Sequence, residues 1–225
     1  MENNYIHHAG EISASGHNWA DGISLSCLNS RVANNLIEEA TDGAIVIFGS
    51  PGSTIEWNTI RNVTRNGIGG IAMVDTPQYR RTVVVGGVSY DVGDYSGTVV
   101  QYNTIEALTN YCGEFCFPTR FQIGIAMGPR TWFCNPINGT MWVYGGTVRN
   151  NTINGNYYRH PAVIDGVLNW TVTGNTTNYS LFGASYASSC GGTNGQGAFI
   201  RHGVHALGTF QPQFVEGQGH HAHPY

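Results

Sequence analysis

Short runs of the chain alternate apolar and polar residues, bend at an asparagine and alternate again. The segments Val32-Ala33-Asn34-Asn35-Leu36-Ile37, Ile55-Glu56-Trp57-Asn58-Thr59-Ile60, Val100-Gln101-Tyr102-Asn103-Thr104-Ile105, Val148-Arg149-Asn150-Asn151-Thr152-Ile153 and Val172-Thr173-Gly174-Asn175-Thr176-Thr177 superimpose without gaps, their asparagines 23, 45, 48 and 24 residues apart. Three places before the asparagine stands a β-branched residue, and two places after it stands Ile, or Thr in the last copy. Both columns are expected in a core. The place between, held by Ala33, Glu56, Gln101, Arg149 and Thr173, suits solvent. Apolar-polar alternation on both sides of a bend predicts two short strands meeting at a corner. Asparagines stacked there can bond to one another and to backbone groups that the bend leaves unpaired.

A third strand per repeat is predicted at Gly22-Ile23-Ser24-Leu25-Ser26, Gly43-Ala44-Ile45-Val46-Ile47-Phe48, Gly70-Ile71-Ala72-Met73-Val74-Asp75 and Gly124-Ile125-Ala126-Met127, continued by Ala162-Val163-Ile164-Asp165. Each of the two double-length spacings holds one such strand, so each is read as one repeat with insertions. These lie at 76–97, where Thr82 to Tyr90 predicts a hairpin with a Gly-Gly turn, and at 110–120 and 128–146. The insertions at 76–97 and 128–146 leave neighbouring repeats at the same corner and should touch.

Together these features resemble the pectin-lyase-like parallel β-helix superfamily. The resemblance implies an all-β, single-stranded right-handed parallel β-helix, a solenoid of about six coils of 23–24 residues over 1–180, followed by a cap or tail at 181–225. Residues 1–6 fit the repeat, which predicts a missing N-terminal segment or end-to-end self-association. The clustered His220, His221 and His223 read as a tail.

Composition narrows the function. The 225 residues carry 10 basic and 14 acidic side chains, a formal charge of −4, and all the basic residues are arginine. Nucleic acid is excluded as a partner, because phosphate binding needs a clustered basic surface. No apolar run approaches the roughly 20 residues that cross a bilayer, so no membrane partner is expected. Six N-x-S/T sequons, at Asn62, Asn138, Asn150, Asn169, Asn175 and Asn178, favour a secreted or cell-wall glycoprotein. Of five cysteines, Cys112, Cys116 and Cys134 could staple one loop region, whereas Cys27 reads as a buried thiol.

Proteins of the resembled superfamily most often act on polysaccharides, which makes a polysaccharide the expected partner. Ala20-Asp21-Gly22-Ile23-Ser24-Leu25 and Thr41-Asp42-Gly43-Ala44-Ile45, one coil apart, are similar to the Asn-Thr-Asp-Gly and Asp-Asp stretches of polygalacturonase-type glycoside hydrolases. By that resemblance Asp21 and Asp42 would flank the glycosidic bond as general acid and base. The chain departs from the pattern at Thr41-Asp42 and Gly67-Ile68-Gly69-Gly70, and it lacks the Arg-x-Lys motif. An Asp-Gly pair is equally an ordinary turn. Asp75, where a third-type strand meets the first insertion, is the acid best placed to serve a groove there.

A lyase would draw its base from Arg80, Arg81, Arg120 or Arg130 and would hold Ca²⁺ with Asp75, Asp91 and Asp94. A hydrolase needs no cofactor, and no metal site is expected for one. Sugar rings stack on aromatic faces, which makes Tyr79, Tyr90, Tyr95, Trp132, Trp142 and Tyr144 the binding candidates, with Arg80 and Arg130. The competing class is a non-catalytic structural solenoid. Ice binding, which needs a flat outward threonine array, does not match the mixed column Ala33, Glu56, Gln101, Arg149, Thr173.

Overall fold

The computed structural model describes residues 1–13, 16–74, 76, 78–108, 121–132, 142–181, 197–205 and 208–216. It is all-β: apart from one 3-10 turn, Pro129–Thr131, the regular elements among the described residues are strands, most of them paired in parallel.

A six-stranded parallel sheet takes one strand from each repeat: Arg31–Ala33, Thr54–Glu56, Val99–Gln101, Thr147–Arg149, Thr171–Thr173 and Thr209–Phe210. Its register aligns Val32, Ile55, Val100, Val148 and Val172, all buried. A fifteen-stranded sheet holds the other two rows. In one, Ile6, Ile37, Ile60, Ile105 and Ile153 stand in register. In the other, Ile23, Ile45, Ile71, Ile125 and Ala162 do so, with Leu25, Ile47, Met73, Met127 and Ile164 forming a second column. The 17-residue strand Thr152–Leu168 belongs to both rows and so joins them. Residues from all three rows meet in one apolar cluster, the expected result when each strand buries one face.

The asparagine corner is a continuous hydrogen-bonded stack. The Nδ2 groups of Asn4, Asn35, Asn58, Asn103 and Asn151 donate to the next Oδ1 in line at 2.8 to 2.9 Å. Backbone N–H groups of the same residues donate to those same oxygens at 2.9 to 3.1 Å. Gln211 ends the stack: its Oε1 accepts from Asn175, and its Nε2 turns back to the Asn175 carbonyl at 3.0 Å. The residue before each asparagine bends the chain by taking positive φ, at Asn34, Trp57, Tyr102, Asn150 and Gly174. Trp57 and Tyr102 stack there, ring centroids 4.5 Å apart and 11° from parallel.

The third row crosses close over the core, and this explains its small residues. A Cβ on Gly124 would lie 2.4 Å from Ile153 Cγ2 and 2.5 Å from the Pro161 carbonyl, and one on Gly70 would lie 2.8 Å from Ile105 Cγ2.

Strands Arg80–Val85 and Val88–Asp94 form an antiparallel hairpin closed by Gly86-Gly87, both at positive φ. Its second strand pairs with Val143–Tyr144, which pairs with Val167–Leu168, so residues of the 76–97 and 128–146 segments join one extension of the long sheet.

Three details differ from the sequence reading. Cys27 is an exposed free thiol, because it follows the last inward residue, Leu25, at the start of a turn. Ala33 is buried, because residues 1–3 run alongside and bond to it on both sides. The six-stranded sheet also presents a second outward column, Arg31, Thr54, Val99, Thr147, Thr171 and Thr209. Beside it, Glu2, Arg31, Glu56, Gln101 and Arg149 are linked by ion pairs and hydrogen bonds.

Candidate functional site

Asp21 and Asp42 each stand just before a strand of the third row, Ile23–Leu25 and Gly43–Ile47. The parallel register sets them side by side: the Asp42 amide donates to the Ala20 carbonyl at 3.2 Å, and the Gly22 amide donates to the Gly43 carbonyl at 3.1 Å. Both aspartates are half-buried on the outer side of the sheet. The Ser24 hydroxyl donates to Asp21 Oδ2 at 2.6 Å.

These surroundings shift both acids upward. Burial raises the Asp21 carboxyl, opposed by the Ser24 hydroxyl and the Gly43 amide. The Asp42 carboxyl is pushed up to about 6 by burial and then by the charge of Asp21, with the Gly43 amide again opposing. Two interacting carboxyls titrate as a pair.

Beyond the pair the outer wall turns apolar. Val46, Ile68, Ala72, Ile123, Ala126, Trp132 and Val163 form a buried cluster on this side of the sheet. Trp132 lies over Gly69, where a Cβ would come within 3.3 Å of the indole. At the far end of the strand Ile23–Leu25, the Tyr79 hydroxyl donates to the Ser26 carbonyl at 3.2 Å, and Ser26 Oγ donates to Gln78 at 3.1 Å. Tyr79 therefore shares a wall with Asp21 and Asp42, about 16 Å away along the strand direction at 3.3 Å per residue.

The other candidates gather around the hairpin. Tyr90 packs edge-on against Trp142, and both join Tyr144 around Val83, Val92 and Leu168. Arg130 is buried, its Nε 3.5 Å from Asp165 Oδ1 and its guanidinium 5.7 Å from the Trp142 ring. Arg80 faces Asp91 at 3.7 Å, and Arg81 faces Asp94 at 3.7 Å and lies over the Tyr144 ring. Tyr95 is wholly buried and donates to the Ile47 and Val74 carbonyls. Asp75 and Arg120 lie outside the described residues, as do Cys112, Cys116, Cys134 and Cys190.

Asp91 and Asp94 each have an arginine opposite, and no group of three His, Cys, Asp or Glu side chains is gathered for a metal among the described residues. Asp75, the third ligand expected for Ca²⁺, lies outside the described residues.

The sequons divide sharply. Asn62 and Asn175 are buried, their Nδ2 groups donating to the Ala40 and Val148 carbonyls. Asn150, Asn169 and Asn178 are exposed, and Asn138 lies outside the described residues. Sequence reasoning missed Ser24. The available signal was its spacing in Asp21-Gly22-Ile23-Ser24, which returns the hydroxyl to the outer side beside the carboxylate.

Comparison with protein-family models, with curated proteins and with solved structures gives no match. Among the described residues, no helix is long and apolar enough to cross a membrane.

Proposed function

We propose that the chain is a single-stranded, right-handed parallel β-helix of about six coils, of the pectin-lyase-like type, that binds and hydrolyses a polysaccharide outside the cell or in a cell wall. The observation that carries this reading is the pair of adjacent, half-buried carboxyls, both raised, one to about 6, at the edge of an apolar outer wall. Glycoside hydrolysis needs one carboxyl that keeps its proton for the leaving oxygen and one that has lost it. Asp42 supplies the acid. Asp21 supplies the carboxylate, as base toward water or as nucleophile, and the anomeric configuration of the first product tells which.

The sugar chain runs from the pair along the wall toward Tyr79, and the Tyr90, Trp142 and Tyr144 group with Arg80 and Arg130 forms a second aromatic edge. Trp132 backs the wall. Glycans added during secretion fit at Asn150, Asn169 and Asn178.

The test is mass spectrometry of products after incubation with pectic, uronic and neutral polysaccharides, using the native chain and Asp42→Asn. Products heavier by one water, lost in the variant, support hydrolysis. Unsaturated products, or equal products from both proteins, would overturn it.

A further inference from the structure

We propose that Ser24 decides which carboxyl of the pair keeps the proton: its hydroxyl holds Asp21 ionised and leaves the proton on Asp42. The use of this device rests on the hydrolytic reading above, although its measurement does not.

Neighbouring strands of the outer wall differ at the place beside the carboxyls. In Ile23–Leu25 the flanking residues point inward and are buried, while Ser24 points outward and is exposed. Its O–H···O contact of 2.6 Å with Asp21 falls in the short range of hydrogen bonds to an ionised oxygen. The register sets Ser24 beside Val46. Where the first strand offers a hydroxyl, the second offers a methyl-bearing wall, so Asp42 is left among apolar groups. A hydroxyl donating to a carboxylate favours the charged form, and an apolar neighbour disfavours it.

The remaining groups around the pair do not supply such a difference. The Gly43 amide acts on both carboxyls in the same direction. Charged side chains on the packed elements are otherwise engaged. Glu11 on the adjoining hairpin accepts from Asn18 at 3.5 Å. The Arg65 guanidinium donates to the Gly10 carbonyl at 2.9 Å. The Glu39 carboxylate is taken by the amides of Val63, Thr64 and Arg65. Burial raises both acids, the repulsion between the two carboxyls belongs to the pair itself, and the Ser24 hydroxyl acts on Asp21 without acting on Asp42.

Ser24 is thus a positioning residue, and the step it serves is a proton transfer from Asp42 to the glycosidic oxygen as the C–O bond breaks. Its removal would blur the two roles by letting Asp21 compete for the proton.

The experiment is a site-resolved carbon NMR titration of the aspartate carboxyls in the full chain, for the native protein, Ser24→Ala and Ser24→Thr. In the native protein Asp21 should lose its proton at lower pH than Asp42. In Ser24→Ala the Asp21 midpoint should rise and the gap should narrow, and Ser24→Thr should restore it. With substrate, turnover of Ser24→Ala at pH 5 should fall by about three- to tenfold, the loss closing at neutral pH. An Asp21 midpoint unmoved by Ser24→Ala, or a native Asp42 that ionises first, overturns the proposal. If the titration follows expectation while the native chain cleaves nothing, the proton assignment stands and the hydrolytic reading falls.

Discussion

The asparagine corner and the outer wall at Asp21 and Asp42 are built on the same repeat and behave oppositely. At the corner the same side chain recurs from Asn4 to Asn175, each copy bonding to the next, until Gln211 closes the series. On the wall the position of Asp42 passes to Ile68 in the next strand and to Gln122 in the one after. A column that repeats is accounted for by the stacking that repetition permits. A carboxyl that appears at two neighbouring levels and then gives way to uncharged residues gains nothing from stacking, and repulsion within the pair counts against the fold. The comparison therefore separates residues kept for architecture from residues that need another reason.

The largest effect that would sharpen this contrast is on the wall. Asp42→Asn should reduce turnover by about 10²- to 10⁴-fold, the range for loss of a general acid, while leaving the chain folded. It should also change the dependence of stability on pH. Because the folded-state Asp42 carboxyl sits at about 6, above its ordinary value, the folded chain binds more protons than the unfolded chain across that interval. Stability contributed by Asp42 is therefore greatest on the acid side and falls as pH rises through about 6. Urea denaturation at pH 4.5 and pH 7 should show a smaller drop for Asp42→Asn than for the native protein. An equal drop in both would mean that the carboxyl is not perturbed and that the wall is as passive as the corner.

The next effect is on the corner and should spare the wall. The Asn103 side chain donates to Ile55 O and Asn151 Oδ1 and accepts from the backbone and side-chain N–H groups of Asn58. Asn103→Ala leaves buried partners on both sides unsatisfied, and a loss of about 3 kcal/mol is expected in denaturant unfolding. Turnover per folded molecule should be unchanged. A loss below about 1 kcal/mol would show the stack to be decoration on strands that hold themselves.

These two regions also explain what could be read in advance. The Val/Ile column, the asparagine stack and the third-row strands were legible because the repeat places like residues at like positions, so each copy checks the others. The hairpin was legible from Gly86-Gly87 alone. The burial of Ala33 was not, since it depends on what residues 1–3 do alongside rather than on the repeat. The outward threonine column escaped because three-residue strands have two outward places and only one was followed. At the site the two aspartates were legible as neighbours. The asymmetry between them was not, because Ser24 and Val46 become partners only through strand register. The Asn175 sequon has a related origin: Asn175-Thr176-Thr177 arises from the corner itself, and its asparagine is spent on the stack.

A smaller effect tests whether the third row is bound to the corner by shape. Gly124→Ala would set a methyl 2.4 Å from Ile153 Cγ2 and 2.5 Å from the Pro161 carbonyl. Backbone cannot yield as a side chain can, and a cost of about 1–3 kcal/mol in denaturant unfolding follows from such overpacking. A Gly22→Ala substitution meets a similar crowd at Ile37 and Ala44, but with fewer strands stacked beyond it, so it should cost less. If both are neutral, the glycines are not there for close approach.

The smallest expected effect lies where the corner faces solvent. Trp57 and Tyr102 stack at 4.5 Å while remaining 53% and 38% exposed, and each holds positive φ, a conformation that disfavours bulky residues. Two opposed contributions meet there. Ring stacking of this kind is worth about 0.5–1.5 kcal/mol, and the left-handed backbone costs about 1–2 kcal/mol for a side chain with a Cβ. Trp57→Ala loses the stack and keeps the backbone cost, so it should destabilise by about 1 kcal/mol. Trp57→Gly loses the stack and removes the backbone cost, so it should be close to neutral. Trp57→Asn, which repeats the residue found at 34 and 150, should fall between them. The order Gly, Asn, Ala in decreasing midpoint of thermal unfolding would show that the asparagine corner needs its bend more than its aromatic cover. With Ala equal to Gly, the bend would be carried by the hydrogen-bonded stack alone, and the aromatic pair would join the wall as a feature that architecture does not explain.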